Sequence, residues 1–138
     1  MAAVSSPARC ILVVDDTEDV RELYAEYFAL RGYDVIQAAD GQQALHATFL
    51  DRPAIIIMDL DMPVMDGWAA TRILKADART KHVPIIVVTG NVMPERLRAA
   101  HEAGADAVLK KPCAPGALAV AIEHALRGET VPTDLCSH

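Results

Sequence analysis

The sequence predicts an α/β domain in which a five-stranded parallel sheet is covered by helices on both faces. Five short apolar runs rich in branched residues alternate with helical patterns, with no internal repeat or low-complexity tract, and such alternation implies right-handed crossovers between parallel strands. The 138 residues are 52% hydrophobic yet only 4% aromatic, which suits small helices layered on a sheet better than an aromatic-cored β sandwich. A chain of this length buries one sizeable core and is too short for two ordinary domains.

The runs at 11–14, 33–38, 54–58, 84–88 and 107–109 read as buried strands. After the first, Val20, Leu23, Tyr24, Tyr27 and Phe28 follow the spacing of one apolar helical face, and Gly32 supplies the C-terminal cap. The second helix opens at Asp40, with Gln43 three residues on as in a capping box. It buries Ala44, Leu45, Thr48 and Phe49 before Pro53 ends it. Further helices are expected over about 68–75, 94–103 and 115–127, the last two followed by Gly104 and Gly128. The domain is placed at 10–127 between tails at 1–9 and 128–138. The second tail reads as a frayed extension, because it carries Pro132 and polar residues without periodicity.

Charge and cysteine usage exclude several classes. A formal net charge of −6 argues against direct binding to nucleic acid or anionic membrane, both of which need basic patches. No basic helix-turn-helix segment is present either, so proteins and cations are the expected partners. Cys10, Cys113 and Cys136 form an odd set without a CxxC pair or a His/Cys cluster. Neither a disulfide framework nor a zinc site is expected, and a reducing cytoplasm fits. The first ten residues lack a leader-like apolar core and no apolar run approaches a membrane span, so a soluble, unexported protein is expected. His46, His82, His101, His124 and His138 lack metal spacing, and Met58, Met62, Met65 and Met93 read as packing residues.

In an open parallel sheet, ligands bind beyond the carboxyl ends of the strands, and here those ends are polar. The first strand runs into Asp15 and Asp16, the third into Asp59, the fourth into Thr89, and the fifth into Lys110 and Lys111 ahead of Pro112. Carboxylates gathered at one edge raise each other's proton affinity unless a cation joins them. Mg²⁺ suits such a set, because it takes oxygen ligands and is commonly held by one or two carboxylates plus a phosphate oxygen. Lys111 and the Thr89 hydroxyl are placed to meet further phosphate oxygens. For Asp16 and Thr17 the competing reading is an N-cap of the first helix. Four strand ends converging on one complementary set is harder to obtain from capping preferences.

These segments resemble the receiver domain of bacterial response regulators. The matching stretches are ILVVDD (11–16), IIIMDLDMPVMDG (55–67), PIIVVTG (84–90) and GADAVLKKP (104–112), in the same order and spacing. The resemblance covers about 10–127 and implies a flavodoxin-like, doubly wound sheet of order 2-1-3-4-5. It further implies that Asp59 is phosphorylated by a partner sensor histidine kinase or histidine phosphotransfer protein. Mg²⁺ would be held by Asp15, Asp16, Asp59 and the backbone carbonyl of Asp61, with Asp16 the more direct ligand of the acidic pair. Thr89 would be the switch hydroxyl, Lys111 the family lysine, and the peptide before Pro112 cis. The expected output is a population shift on the face of the fourth helix, fifth strand and fifth helix, read by a downstream protein target. The domain would act as a monomer or transient dimer and would catalyse only its own phosphorylation and slow dephosphorylation.

Two departures from the family pattern matter. Val108 stands where receivers carry an aromatic switch partner, so activation is expected to rely on the 90–93 loop and the fourth helix. Asp61 and Asn91, two residues after Asp59 and Thr89, flank the path of the hydrolytic water and are expected to set phosphoryl lifetime. Trp68 lies just after the phosphorylation loop and offers a fluorescent reporter. Asp59-Leu60-Asp61 also resembles the DxD of haloacid-dehalogenase-like phosphatases, in which Asp61 would be the acid. Those enzymes put the DxD strand first and the acidic pair last, the reverse of this chain. The same residues would also suit a receiver excised from a longer regulator, whereas a receiver fold that has lost phosphorylation is disfavoured by the full set of pocket residues.

Overall fold

Branched side chains fit a pleated, two-sided surface, and each apolar run forms a strand. The elements are β1 (Cys10–Val14), α1 (Glu18–Leu30), β2 (Asp34–Ala38), α2 (Gly41–Asp51), β3 (Ile55–Met58), α3 (Gly67–Ala76), β4 (Ile85–Thr89), α4 (Pro94–Ala103), β5 (Ala107–Lys110) and α5 (Pro115–Leu126). The computed structural model describes residues 9–62, 64–132 and 134–136. Residues 1–8 of the N-terminal tail, with 63, 133, 137 and 138, lie outside them.

All strand pairs are parallel and the sheet order is β2-β1-β3-β4-β5, the order implied by the resemblance. Alternation along the strands divides the core in two. Ile11, Val13, Ile55, Ile57, Ile86, Val88 and Leu109 face Tyr24 and Phe28 of α1 and Leu118 and Ile122 of α5. Leu12, Val14, Ile56, Met58, Ile85, Val87 and Val108 face Ala44 of α2, Ala70 and Leu74 of α3 and Ala100 of α4. Burial of each branched side chain contributes ~1.5–3 kcal/mol, so a strand cannot slip by one residue without emptying both cores.

Local signals are realised with informative exceptions. Asp40 Oδ1 accepts the Gln43 N–H at 2.8 Å, while Gln43 Oε1 reaches past the N-cap to the N–H of Ala39, also at 2.8 Å. Arg52, in the left-handed region at φ 49°, ends α2 ahead of Pro53. Leu23, expected on the buried face of α1, is 55% exposed, because the helix seats a narrower stripe centred on Tyr24 and Phe28. Capping does not account for Asp16: the N-cap of α1 is Thr17, and it makes no side-chain cap bond.

The C-terminal segment corrects two expectations. Gly128, at φ 73°, turns the chain after α5, and Val131, Leu135 and Cys136 return to pack on the α1/α5 core. The described part of 128–138 is therefore docked, not frayed. Its return brings Cys136 to Cys113, and the two are joined as a disulfide with a Cα–Cα separation of 4.9 Å. No short motif announces the pairing, because the cysteines lie 23 residues apart and are brought together by tertiary packing. Alkylation of the denatured, unreduced protein should label Cys10 alone, the one free cysteine among the described residues, against all three after reduction. Labelling of all three without reductant would contradict the pairing.

Candidate functional site

The parallel ladder continues one residue past the strands, and that fixes the polar edge. The Asp15 N–H donates to Ala38 O at 3.1 Å, the Asp59 N–H to Val14 O at 2.9 Å, and the Lys111 N–H to Thr89 O at 2.8 Å. Backbone bonds thus carry Asp15, Asp59 and Lys111 to the same end of the sheet. Oxygens of Asp15, Asp16 and Asp59 lie within 4.8 Å of one another. Asp15 and Asp59 are buried, at 3% and 6% exposure, while Asp16 is open to solvent. Asp15 is held twice, its Oδ1 accepting the Thr17 N–H at 2.9 Å and its Oδ2 meeting Lys111 Nζ at 2.9 Å. Lys111 Nζ also lies 3.6 Å from Asp59 Oδ1, so one ammonium spans two carboxylates from different strands.

The loop after Asp59 closes against α3, and only glycine permits it. A Cβ on Gly67 would collide with the carbonyl oxygen of Asp59 and come within 2.9 Å of Leu60 Cα. The Gly67 N–H donates to Leu60 O at 3.0 Å, and Asp66 caps α3 by accepting the Ala69 N–H. Sequence reading assigned Gly67 no role, although the Asp66-Gly67 step before a helix was its visible signal.

Thr89 is fully buried, and its Oγ1 accepts the Asn91 N–H at 3.1 Å. Asn91 Oδ1 in turn accepts the Met93 N–H at 3.2 Å. Val108 is 8% exposed on the core side of β5. Lys110 pairs across from Thr89 and its side chain is exposed; the Lys111–Pro112 peptide is cis. Asp61 does not join the carboxylate group: its Oδ1 lies 3.0 Å from Arg96 Nη2 on α4. The acid role that a phosphatase would require of Asp61 is therefore not served by this side-chain position.

Burial pushes the Asp59 carboxyl up to about 6, with Asp15 and Asp16 adding to the rise and Lys111 and a backbone hydrogen bond from Asp61 opposing it. Burial disfavours the charged form of Lys111, but its bond to Asp15 and the charges of Asp59 and Asp15 outweigh this and leave the ammonium firmer than usual. The donor set is all oxygen and carries more negative charge than Lys111 neutralises, which fits a hard divalent cation. Asp59 binds its proton more tightly folded than unfolded, so its anion withholds on the order of 3 kcal/mol of stability at neutral pH in the absence of metal. That cost is full above about 6 and vanishes as pH falls toward the ordinary carboxylate value. In chelator, Asp59→Asn should raise the melting temperature by several degrees at pH 7.5, and the gap should close on titration to pH 4. A pH-independent gap, or none at pH 7.5, would show that Asp59 is not destabilised by its surroundings.

Comparison with known proteins agrees with this geometry. The sequence profile of the response regulator receiver domain matches residues 11–123. The phosphate regulon transcriptional regulatory protein PhoB of Pseudomonas aeruginosa is 35% identical, over 91% of this chain and 55% of that protein. The polar-differentiation response regulator DivK of Brucella anthropi is 32% identical, over 75% of this chain and 85% of that one. The solved structure of the chemotaxis response regulator CheY4 of Vibrio cholerae superposes with a TM-score of 0.78 at 31% identity, covering 83% of this chain and 96% of that one. The chain spans about half the length of several curated relatives it matches. With the sheet order, the strand-end carboxylates and the lysine in one register, the chain belongs to the response regulator receiver domain family of two-component signalling.

Proposed function

We propose that this domain is a phosphorylation-activated switch that accepts a phosphoryl group on Asp59 from the phosphohistidine of a sensor histidine kinase or histidine phosphotransfer protein. The observation that carries this is the reach of Lys111 Nζ to both Asp15 and Asp59, at 2.9 and 3.6 Å, inside a cluster of three carboxylates. Asp15, Asp16, Asp59 and the backbone carbonyl of Asp61 are the proposed Mg²⁺ ligands. Bound there, Mg²⁺ would neutralise phosphoryl oxygens and draw Asp59 into its ionised, nucleophilic form. An Asp59 oxygen attacks phosphorus in line as the P–N bond of the phosphohistidine breaks, and the electron pair leaves with the imidazole of the partner. Lys111 meets a second equatorial oxygen and the Thr89 hydroxyl donates to a third, so positioning and charge supply most of the acceleration. Attack of water on phosphorus later regenerates the carboxylate, which makes the domain a stoichiometric switch without other turnover.

Phosphorylation of Asp59 would draw Thr89 from its bond with Asn91 and release the segment leading into α4. Val108 is too small to act as the aromatic half of such a switch, so the readout is assigned to residues 90–103 within the α4/β5/α5 face. The partner for that face is a protein target, met as a monomer or through a transient dimer, and the net charge of −6 speaks against this domain itself contacting DNA. No helix among the described residues is long and apolar enough to cross a membrane; a site of action in the cytoplasm beside the kinase would require the Cys113–Cys136 bond to persist where thiols are ordinarily kept reduced.

Incubation with Mg²⁺ and acetyl phosphate should yield one phosphoryl adduct per chain by intact mass, absent in Asp59→Asn. Amide shifts of the adduct should concentrate in residues 90–103. Phosphate release far above stoichiometry would indicate a phosphatase, and absence of an adduct a silent interaction domain; either result contradicts the proposal.

A further inference from the structure

Two routes lead from the carboxylate edge to the first turn of α4. On one, Thr89 Oγ1 accepts the Asn91 N–H and Asn91 Oδ1 accepts the N–H of Met93, the N-cap residue of α4. On the other, Asp61 stands two residues after Asp59 on the same loop, and its side chain meets Arg96 at 3.0 Å. Arg96 does not merely reach across solvent. Its guanidinium carbon stands over the Trp68 ring of α3, 4.5 Å from the centroid, while one of its nitrogens meets the Asp61 carboxylate.

We infer that Arg96 is a positioning residue that binds the Asp61 carboxylate to α4 and thereby sets how long phosphoryl-Asp59 survives. This rests on the phosphoacceptor reading above and extends it to a residue outside the pocket. Asp61 is the second residue after Asp59, and its carboxylate adds a negative charge to the loop that follows the phosphoacceptor. Paired with Arg96 at 3.0 Å, it is tied to α4 and partly neutralised. An exposed ion pair alone is a weak restraint, because two long side chains lose freedom to form it. Stacking on Trp68 removes much of that freedom beforehand and adds a cation–π attraction. Arginine is suited to both contacts, whereas lysine has neither the flat face nor the fork. A displacement of the first turn of α4 would pull Arg96 from Asp61, so the output surface and the decay of the signal are mechanically joined.

The test is a double-mutant cycle on the full chain, phosphorylated with acetyl phosphate and Mg²⁺ and then freed of donor. Dephosphorylation is followed by intact mass for the natural protein, Arg96→Ala, Asp61→Asn and the double variant. Arg96→Ala should change the decay rate about threefold or more in the natural background and leave it nearly unchanged where Asp61→Asn has removed the charge. Trp68 emission in the unphosphorylated, metal-free protein should shift in Arg96→Ala, because the guanidinium lies over the indole, and shift less in Asp61→Asn. Equal effects of Arg96→Ala in both backgrounds, or no effect in either, overturn the inference while an Asp59 adduct still forms. Absence of any adduct on the natural protein overturns the phosphoacceptor reading and this inference with it.

Discussion

Three carboxylates held within 4.8 Å of one another repel at neutral pH, and much of this molecule is arranged to sustain that repulsion. Lys111 answers part of it. Burial sharpens the remainder, because Asp15 and Asp59 are largely shut away from the water that would screen them. The outcome is a pocket that favours protonation, a cation or a phosphoryl–cation pair. A receiver exploits that preference: the group that relieves the charge conflict is also the signal.

Such a conflict needs a rigid frame, and the sheet supplies it. Ladder bonds extend one residue beyond the strand ends, so the carboxylates inherit the register of two buried cores. The close approach of Gly67 to the backbone of Asp59 and Leu60 then shapes the loop that follows Asp59. By contrast, the segments leading away from Thr89 and Asp61 are held by exposed polar contacts, which are weak enough to be exchanged. Rigidity at the strand ends and looseness at α4 are what a two-state switch of this kind requires.

Much of this was legible because it is local or periodic. Continuous apolar runs rich in branched residues mark the strands, Asp40 and Gln43 mark the start of α2, and the polar residues directly after the strands mark the ligand edge, since one rule of parallel sheets puts them together. What escaped was set by tertiary packing. Cys113 and Cys136 meet because the chain turns at Gly128 and Val131 finds the core, and no spacing rule anticipates a partner 23 residues away. Leu23 has the right periodicity but sits at the rim of its helix's contact stripe. Arg96, 35 residues from Asp61, reads in sequence as one of several charges on a solvated helix. Only the meeting of α3, α4 and the loop after Asp59 gives it a partner and an indole to lie over.

The central claim is that the strand-end carboxylates form a divalent-cation site built on unrelieved charge. Thermal unfolding with increasing Mg²⁺ tests it most directly, against NaCl of matched ionic strength. A cation that binds only the folded chain stabilises it by mass action, about 1.4 kcal/mol at ten times its dissociation constant. The natural protein should therefore gain several degrees that NaCl does not supply, and Asp16→Asn should lose most of that gain. A Mg²⁺ response no greater than that of NaCl would contradict the account, leaving the carboxylate cluster a tolerated repulsion and not a site.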